Sequence, residues 1–298
     1  MARTRLRGIS VGGIQIGIEV PEVYEWEWPD SPVSEFQCLP RDPEVNVGVR
    51  VDAPDQADLG GERYSVGAWT FEVARLSDGD WVMGLSRRGR REKLARFDRE
   101  FGAGEIIVSA ETAKSRAYPL RCPFDEWIVL HRTVARGGLC LNASASPREG
   151  GAILHLGGAP AAPAHRWTVP TPSLLGRSAL LVREAREHLR LFRAPWSESI
   201  DPRLPFEVRV HALERVTSTE VPWTERLDPA DAADLLVTHA IVPLCDEAFL
   251  DRVMRNAQRI AQTACVIERG VAEREEPDAP VRELGWTEAG VNLAAARG

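Results

Sequence analysis

The chain has 298 residues, 44% of them hydrophobic, enough for one large domain or two ordinary ones around a buried core. A formal net charge of −7 argues against nonspecific binding to nucleic acid or to an anionic membrane, and no run of about 18 apolar residues is present to span a bilayer. Five scattered cysteines form no C-x-x-C pair and six histidines show no metal-ligand spacing, so neither a metal nor a cofactor is expected. The N-terminus is basic but lacks the apolar stretch of a secretory leader, which makes a cytoplasmic protein the expectation.

Residues 8–20, GISVGGIQIGIEV, and 44–51, EVNVGVRV, alternate with period two and predict strands. Between them, PEVYEWEWPDSP is a proline-bounded loop whose aromatics Tyr24, Trp26 and Trp28 offer either a sticky surface or a cover for a sheet edge. RYSVGAWTFEVARL and DWVMGLSR flank a Ser-Asp-Gly-Asp turn and predict a hairpin. The following RRGRREKLAR carries six basic side chains, among them Arg87, Arg88, Arg90 and Arg91, and predicts a helix over 90–101 with a solvated basic face or a face for an acidic partner.

FDEWIVLHRTVAR, 124–136, carries an apolar stripe and stops at Gly137-Gly138, as a helix does. GLCLNASAS and AILHLGG predict two strands joined by a turn at 147–150. Residues 159–173 then hold four prolines, which no ordinary helix interior tolerates. In SLLGRSALLVREAREHLRLF, a helical reading places Glu184 and His188 on one face, the pattern of a surface ion pair. PFEVRVHALERV predicts a strand with Phe206, Val208 and Val210 on one face. DPADAADLLVTHA predicts a helix with Asp228 as its N-cap and Pro229 at its first position. DEAFLDRVMRNAQRIAQT predicts an amphipathic helix, and ACVIER a returning strand. The chain divides into a strand-rich portion, 1–120, a mixed portion, 121–270, and an acidic irregular tail, 271–298. Ser144 and Ser146 lie near a glycine turn, but without a G-x-S-x-G elbow and without an assigned His or Asp partner.

RGGLCLNASASPREGGAILHLGGAP (136–160), LFRAPWSES (191–199), FEVRVHALERV (206–216) and RLDPADAADLLVTHAIVP (226–243) follow one another in an order that resembles the HPr kinase-like family, the branch of P-loop proteins related to phosphoenolpyruvate carboxykinases. The resemblance runs over roughly residues 5–270. It implies an α/β (α+β) fold: a strand-rich N-terminal portion, then a phosphoenolpyruvate carboxykinase-like mixed sheet flanked by helices. It also implies a glycine loop that holds ATP phosphates.

Phosphoryl transfer of that kind needs loop amides around the phosphates, a lysine on the β/γ oxygens, and a hydroxyl plus acids on Mg²⁺. Here Gly157 and Gly158 remain, with Arg166 as the nearest cation. No Gly-Lys-Ser/Thr follows, Asn142 stands where the family carries histidine, and Ser178-Ala179 or Arg183-Glu184 stands where the resemblance implies an acid pair. The expectation is a non-catalytic, kinase-shaped protein without cofactor that binds a protein or peptide and is able to assemble as a homo-oligomer. The expected surfaces are Tyr24, Trp26 and Trp28, the Arg87–Arg91 stretch, and the rim from Gly157 to Trp167. The alternative is an active ATP-dependent serine kinase-like transferase that handles phosphate through Arg166, Arg177 or Arg183, or through one of the two lysines, Lys93 and Lys114.

Overall fold

The computed structural model describes residues 3–28, 32–66, 68–121, 123–157, 179–196, 205–243 and 246–272. The fold is a strand-dominated α+β arrangement of two sheets with few helices. The proline segment 159–173, Gly158 and the tail beyond residue 272 lie outside the described residues.

β1 (Thr4–Val11) and β2 (Ile14–Pro21) form a hairpin, so the stretch 8–20 is two strands rather than one. Gly12 and Gly13 between them both have positive φ, the geometry a two-residue hairpin requires. A 3-10 turn at Pro32–Phe36 leads to the short β3 (Gln37–Cys38), then β4 (Val45–Val51), β5 (Glu62–Val66), β6 (Trp69–Arg75), β7 (Trp81–Arg87), β8 (Arg90–Phe97) and β9 (Ala103–Val108). These pair in the order β3-β1-β2-β4-β9-β8-β7-β6-β5, with β2–β4 and β4–β9 parallel. The β6–β7 hairpin is the one expected from the Ser-Asp-Gly-Asp turn.

The helix expected over 90–101 is instead β8. Its alternate side chains Arg91, Lys93, Ala95 and Phe97 all point into protein and are buried, a period-two pattern that two long cations conceal in the sequence. Arg91 pairs with Glu72 and donates to the carbonyls of Asp55 and Ala57, both at 2.7 Å. Lys93 Nζ donates to the carbonyls of Tyr118 and Pro119 at 3.1 and 2.8 Å. Buried charges survive when partnered in this way, and here they tie connecting loops to the sheet.

After α1 (Ala110–Lys114) comes α2 (Phe124–Ala135), the helix the apolar stripe predicts, which ends at Gly137 with φ of 80°. His131 of α2 sits within 6 Å of the rings of Trp81, Phe101, Trp127 and Phe249, centroid to centroid, and so joins the first sheet to a later helix. Burial and the nearby cations Arg252 and Arg75 push its pKa well below the usual histidine value, so the imidazole is neutral.

The second sheet holds β10 (Leu139–Arg148), β11 (Gly151–Leu156), β12 (Ala179–Ala185), β13 (His188–Phe192), β14 (Glu207–Thr219), β15 (Trp223–Arg226) and β16 (Val266–Ala272). The stretch read as a helix with Glu184 and His188 on one face is the β12–β13 hairpin, turning through Arg186-Glu187 at φ of 52° and 65°. The pairings β10–β12, β12–β13, β13–β14, β14–β11 and β11–β10 close on themselves, making a small barrel-like ring with Leu141, Ala143, Leu154, Leu180, Leu191 and Leu213 buried. β14 is parallel both to β11 and to β16.

α3 (Pro229–His239) begins as expected, the Asp228 carboxylate accepting from the amides of Ala230 and Asp231 at 2.8 and 3.0 Å; such a cap is worth about 1 kcal/mol. α4 (Glu247–Thr263) buries Phe249, Val253, Ala257, Ile260 and Ala261, while Leu250 and Met254 from the expected apolar face stay exposed. Each large apolar side chain buried on that face contributes about 1.5–3 kcal/mol. Among the described residues, no helix is long and apolar enough to cross a membrane.

Candidate functional site

β11 leads directly into the glycine turn. Gly157 has φ of 83°, a left-handed conformation that suits glycine. Its amide donates to the Asn142 carbonyl on β10 at 3.2 Å, and a Cβ at this position would lie 2.9 Å from Cε1 of His239, the last residue of α3. The His239 imidazole is held below its ordinary pKa by burial and by the Arg215 charge. Arg215 is itself paired with Glu268 on the neighbouring strand, its Nε 2.8 Å from Oε1. The backbone donor expected to face a phosphate is thus used within the sheet. Gly158, Arg166, Trp167 and Arg177 lie outside the described residues.

Arg183, the third arginine considered for phosphate, is turned to the other half of the molecule. It donates to the Gly12 carbonyl at 3.3 Å and lies 5.0 Å from the Phe192 ring, and burial together with Arg136 lowers its pKa. Lys93 is buried as described above, and Lys114 closes α1.

Next to the glycine turn, four adjacent strands carry a row of polar side chains that composition did not single out. In the strand register Ser144 lies opposite His155, His155 opposite Glu214, and Glu214 opposite Ile267. Ser146 Oγ is 2.9 Å from His155 Nε2, His155 Nδ1 is 3.2 Å from Glu214 Oε2, and Glu214 Oε1 is 2.6 Å from Arg269 Nε. Glu214 is 2% exposed; Ser146 and His155 are only partly covered. Burial works against the charged form of Glu214, but His155 and the Arg269 charge beside it outweigh it and hold the carboxyl below its usual range. Ser144, one pair along from Ser146, is buried and its hydroxyl has no hydrogen-bond partner among the described residues. The signal in the sequence is a histidine in the apolar strand AILHL and a glutamate in the apolar strand VHALERV; each breaks a hydrophobic run at a position that faces the other.

The aromatic loop is placed differently from the expectation of a sticky surface. Tyr24 and Trp26 are 2% and 4% exposed, with the Tyr24 hydroxyl donating to the Ala117 carbonyl and Trp26 stacked on Tyr118 at 4.9 Å. Trp28 is the partly exposed member, and the Arg7 guanidinium lies over Trp26 and Trp28 at 4.7 and 5.0 Å. The cover reading of this loop therefore holds for two of the three rings.

The basic stretch also separates. Arg91 is in the core, while Arg87, Arg88 and Arg90 are exposed at the tip of the β7–β8 hairpin, whose turn is Arg88-Gly89. Arg87 lies 5.3 Å from the Trp69 ring and Arg90 is 3.0 Å from Glu111. Of the cysteines within the described residues, Cys38, Cys140 and Cys265 are free thiols; Cys140 is buried, and burial pushes its pKa up. Among the described residues no group of three or more His, Cys, Asp or Glu side chains is placed to hold a metal ion. No protein-family model matches the chain, and no curated protein matches it.

Proposed function

We propose that the chain is a binding protein for a protein or peptide partner, built on an HPr kinase-like framework whose glycine turn no longer holds a nucleotide. The observation that carries this reading is the Gly157 turn: its amide is bonded to Asn142 and its Cα is packed on His239. Phosphate sites at a strand-to-loop turn work because several backbone N–H groups point at the anion with no partner of their own. A turn whose amide closes the sheet and whose glycine lies against an imidazole supports loss of that function. The lysine that should sit on the phosphate oxygens is not supplied by Lys93, which is bonded to two carbonyls in the first half of the molecule.

The partner-facing surface in this reading is the β7–β8 tip, where Arg87, Arg88 and Arg90 project from a chain that is acidic overall. A local basic cluster on a negatively charged protein favours an acidic segment as its partner. The test is calorimetric titration with ATP and Mg²⁺ into the millimolar range, with thermal unfolding of the same sample. No heat and no shift in Tm are expected. Saturable heat with a rise in Tm would show a working nucleotide site and overturn the proposal.

A further inference from the structure

The row Ser146, His155, Glu214, Arg269 has a direction, and the direction is chemical. Arg269 and His155 stand at the two oxygens of a buried carboxylate, at 2.6 and 3.2 Å. The His155 Nδ1 contact is a charge contact at 3.2 Å without hydrogen-bond alignment, and a carboxylate beside Nδ1 favours the imidazole proton on that nitrogen, the tautomer in which the Nε2 lone pair is the acceptor. The group at Nε2 is the hydroxyl of Ser146, at 2.9 Å, within the reach that proton abstraction by a general base requires. Ser146 precedes the β10–β11 turn and is only partly covered among the described residues. Ser144, directly across from His155, is the buried serine of the pair and makes no bond to the ring.

We propose that Ser146 is a nucleophile activated by His155, with Glu214 as the orienting acid and Arg269 as the residue that positions Glu214, and that the site cleaves a carboxylic ester. Oγ of Ser146 adds to the acyl carbon while its proton passes to Nε2 of His155; the imidazolium is balanced by the Glu214 carboxylate. The bond from the acyl carbon to the alkoxy oxygen then breaks, and the departing alcohol takes the proton from Nε2. Water repeats the sequence on the acyl-serine, its proton going to Nε2 and then back to Oγ, releasing the acid and restoring the hydroxyl. These residues are separate from the Gly157 turn, so the inference stands or falls independently of nucleotide binding.

The experiment treats the full chain with a fluorophosphonate probe, which phosphonylates activated serines, and maps the adduct by peptide mass spectrometry. The expected result is one adduct per chain, on Ser146, formed only by the folded protein. Ser146→Ala abolishes it, and His155→Gln slows it by about 100-fold, the typical contribution of a general base. Because the map is made on the unmodified chain, its answer does not depend on any variant folding. No adduct on the folded chain, an adduct on another residue, or labelling of Ser146 at an undiminished rate in folded His155→Gln overturns the proposal and leaves a structural polar ladder.

Discussion

Replacing Arg269 by methionine removes the guanidinium while keeping a side chain of similar length, and leaves the Glu214 carboxylate buried with only His155 beside it. Breaking a buried pair from one side costs about 3–5 kcal/mol, because the remaining charge is neither solvated nor neutralised. Arg269 is 14% exposed, so some water already reaches its end of the pair, and the lower end of that range, about 3 kcal/mol, is the expected loss at neutral pH. In a chain of this size that is a fall in Tm of roughly 6 °C. Arg269→Met combined with Glu214→Gln should cost less than the sum of the two single changes, by about 2 kcal/mol, since the double variant leaves no stranded carboxylate.

The pH dependence sharpens the test. With its partners present, Glu214 has a folded-state pKa below the usual 4.5, so its contribution is in place above 4.5 and is lost as pH falls through the lower folded value. In Arg269→Met, burial becomes the dominant influence and raises the folded pKa, so stability falls instead as pH rises from the unfolded value. The gap between the two proteins therefore widens from about pH 4 to about pH 7. Urea unfolding followed by tryptophan fluorescence at several pH values measures it. A cost below about 1 kcal/mol at neutral pH, or strict additivity with Glu214→Gln, would refute the view that Arg269 holds Glu214 charged.

Gly157→Ala should destabilise the protein by about 1–3 kcal/mol, since the new methyl meets a positive φ and the His239 ring together; thermal melts of this variant and of Gly157→Ala/His239→Ala separate the two contributions. His131→Leu should flatten the acid limb of the stability profile: in the native protein the depressed pKa makes stability fall as pH drops below 6.5, a slope the leucine variant lacks in denaturation curves taken at successive pH values. Arg186→Asn with Glu187→Gly should raise stability by about 1 kcal/mol, because both residues hold left-handed backbone that glycine and asparagine adopt at lower cost; an unchanged or lower Tm would count against the turn assignment. Charge reversal at Arg87, Arg88 and Arg90 should leave Tm nearly unchanged while removing salt-sensitive binding of an acidic peptide, read by fluorescence anisotropy.

The helices of the second half were legible because their ends and faces are written in local terms. Asp228-Pro229 caps α3, Gly137 stops α2, and the spacing from Phe249 to Ala261 defines the buried side of α4. β8 was not legible, because a strand that inserts Arg91 and Lys93 into the interior shows no apolar alternation. The partners that make those insertions tolerable, Glu72 and the carbonyls at 55, 57, 118 and 119, come from other parts of the chain. The β12–β13 hairpin failed for a related reason: Arg186-Glu187 turns the chain without glycine, asparagine or proline, so the alternating charges of REAREH read as one helical face.

Ser146 was visible in the sequence, and its partners were not, for a reason of topology. His155 follows it by nine residues across a tight hairpin, a local pairing. Glu214 reaches His155 because β14 joins β11 in parallel, and Arg269 reaches Glu214 because β16 joins β14 in parallel; each such junction needs a long connection that leaves no periodic trace. The same parallel placement closes the ring between β11 and β14, with the glycine turn at the end of β11. In this chain the Gly157 amide is bonded to the Asn142 carbonyl, and His155, two residues earlier, belongs to the serine–histidine–carboxylate row. The groups at this end of the strand are therefore a base and a hydroxyl, set just before a backbone turn whose amide is bonded within the sheet.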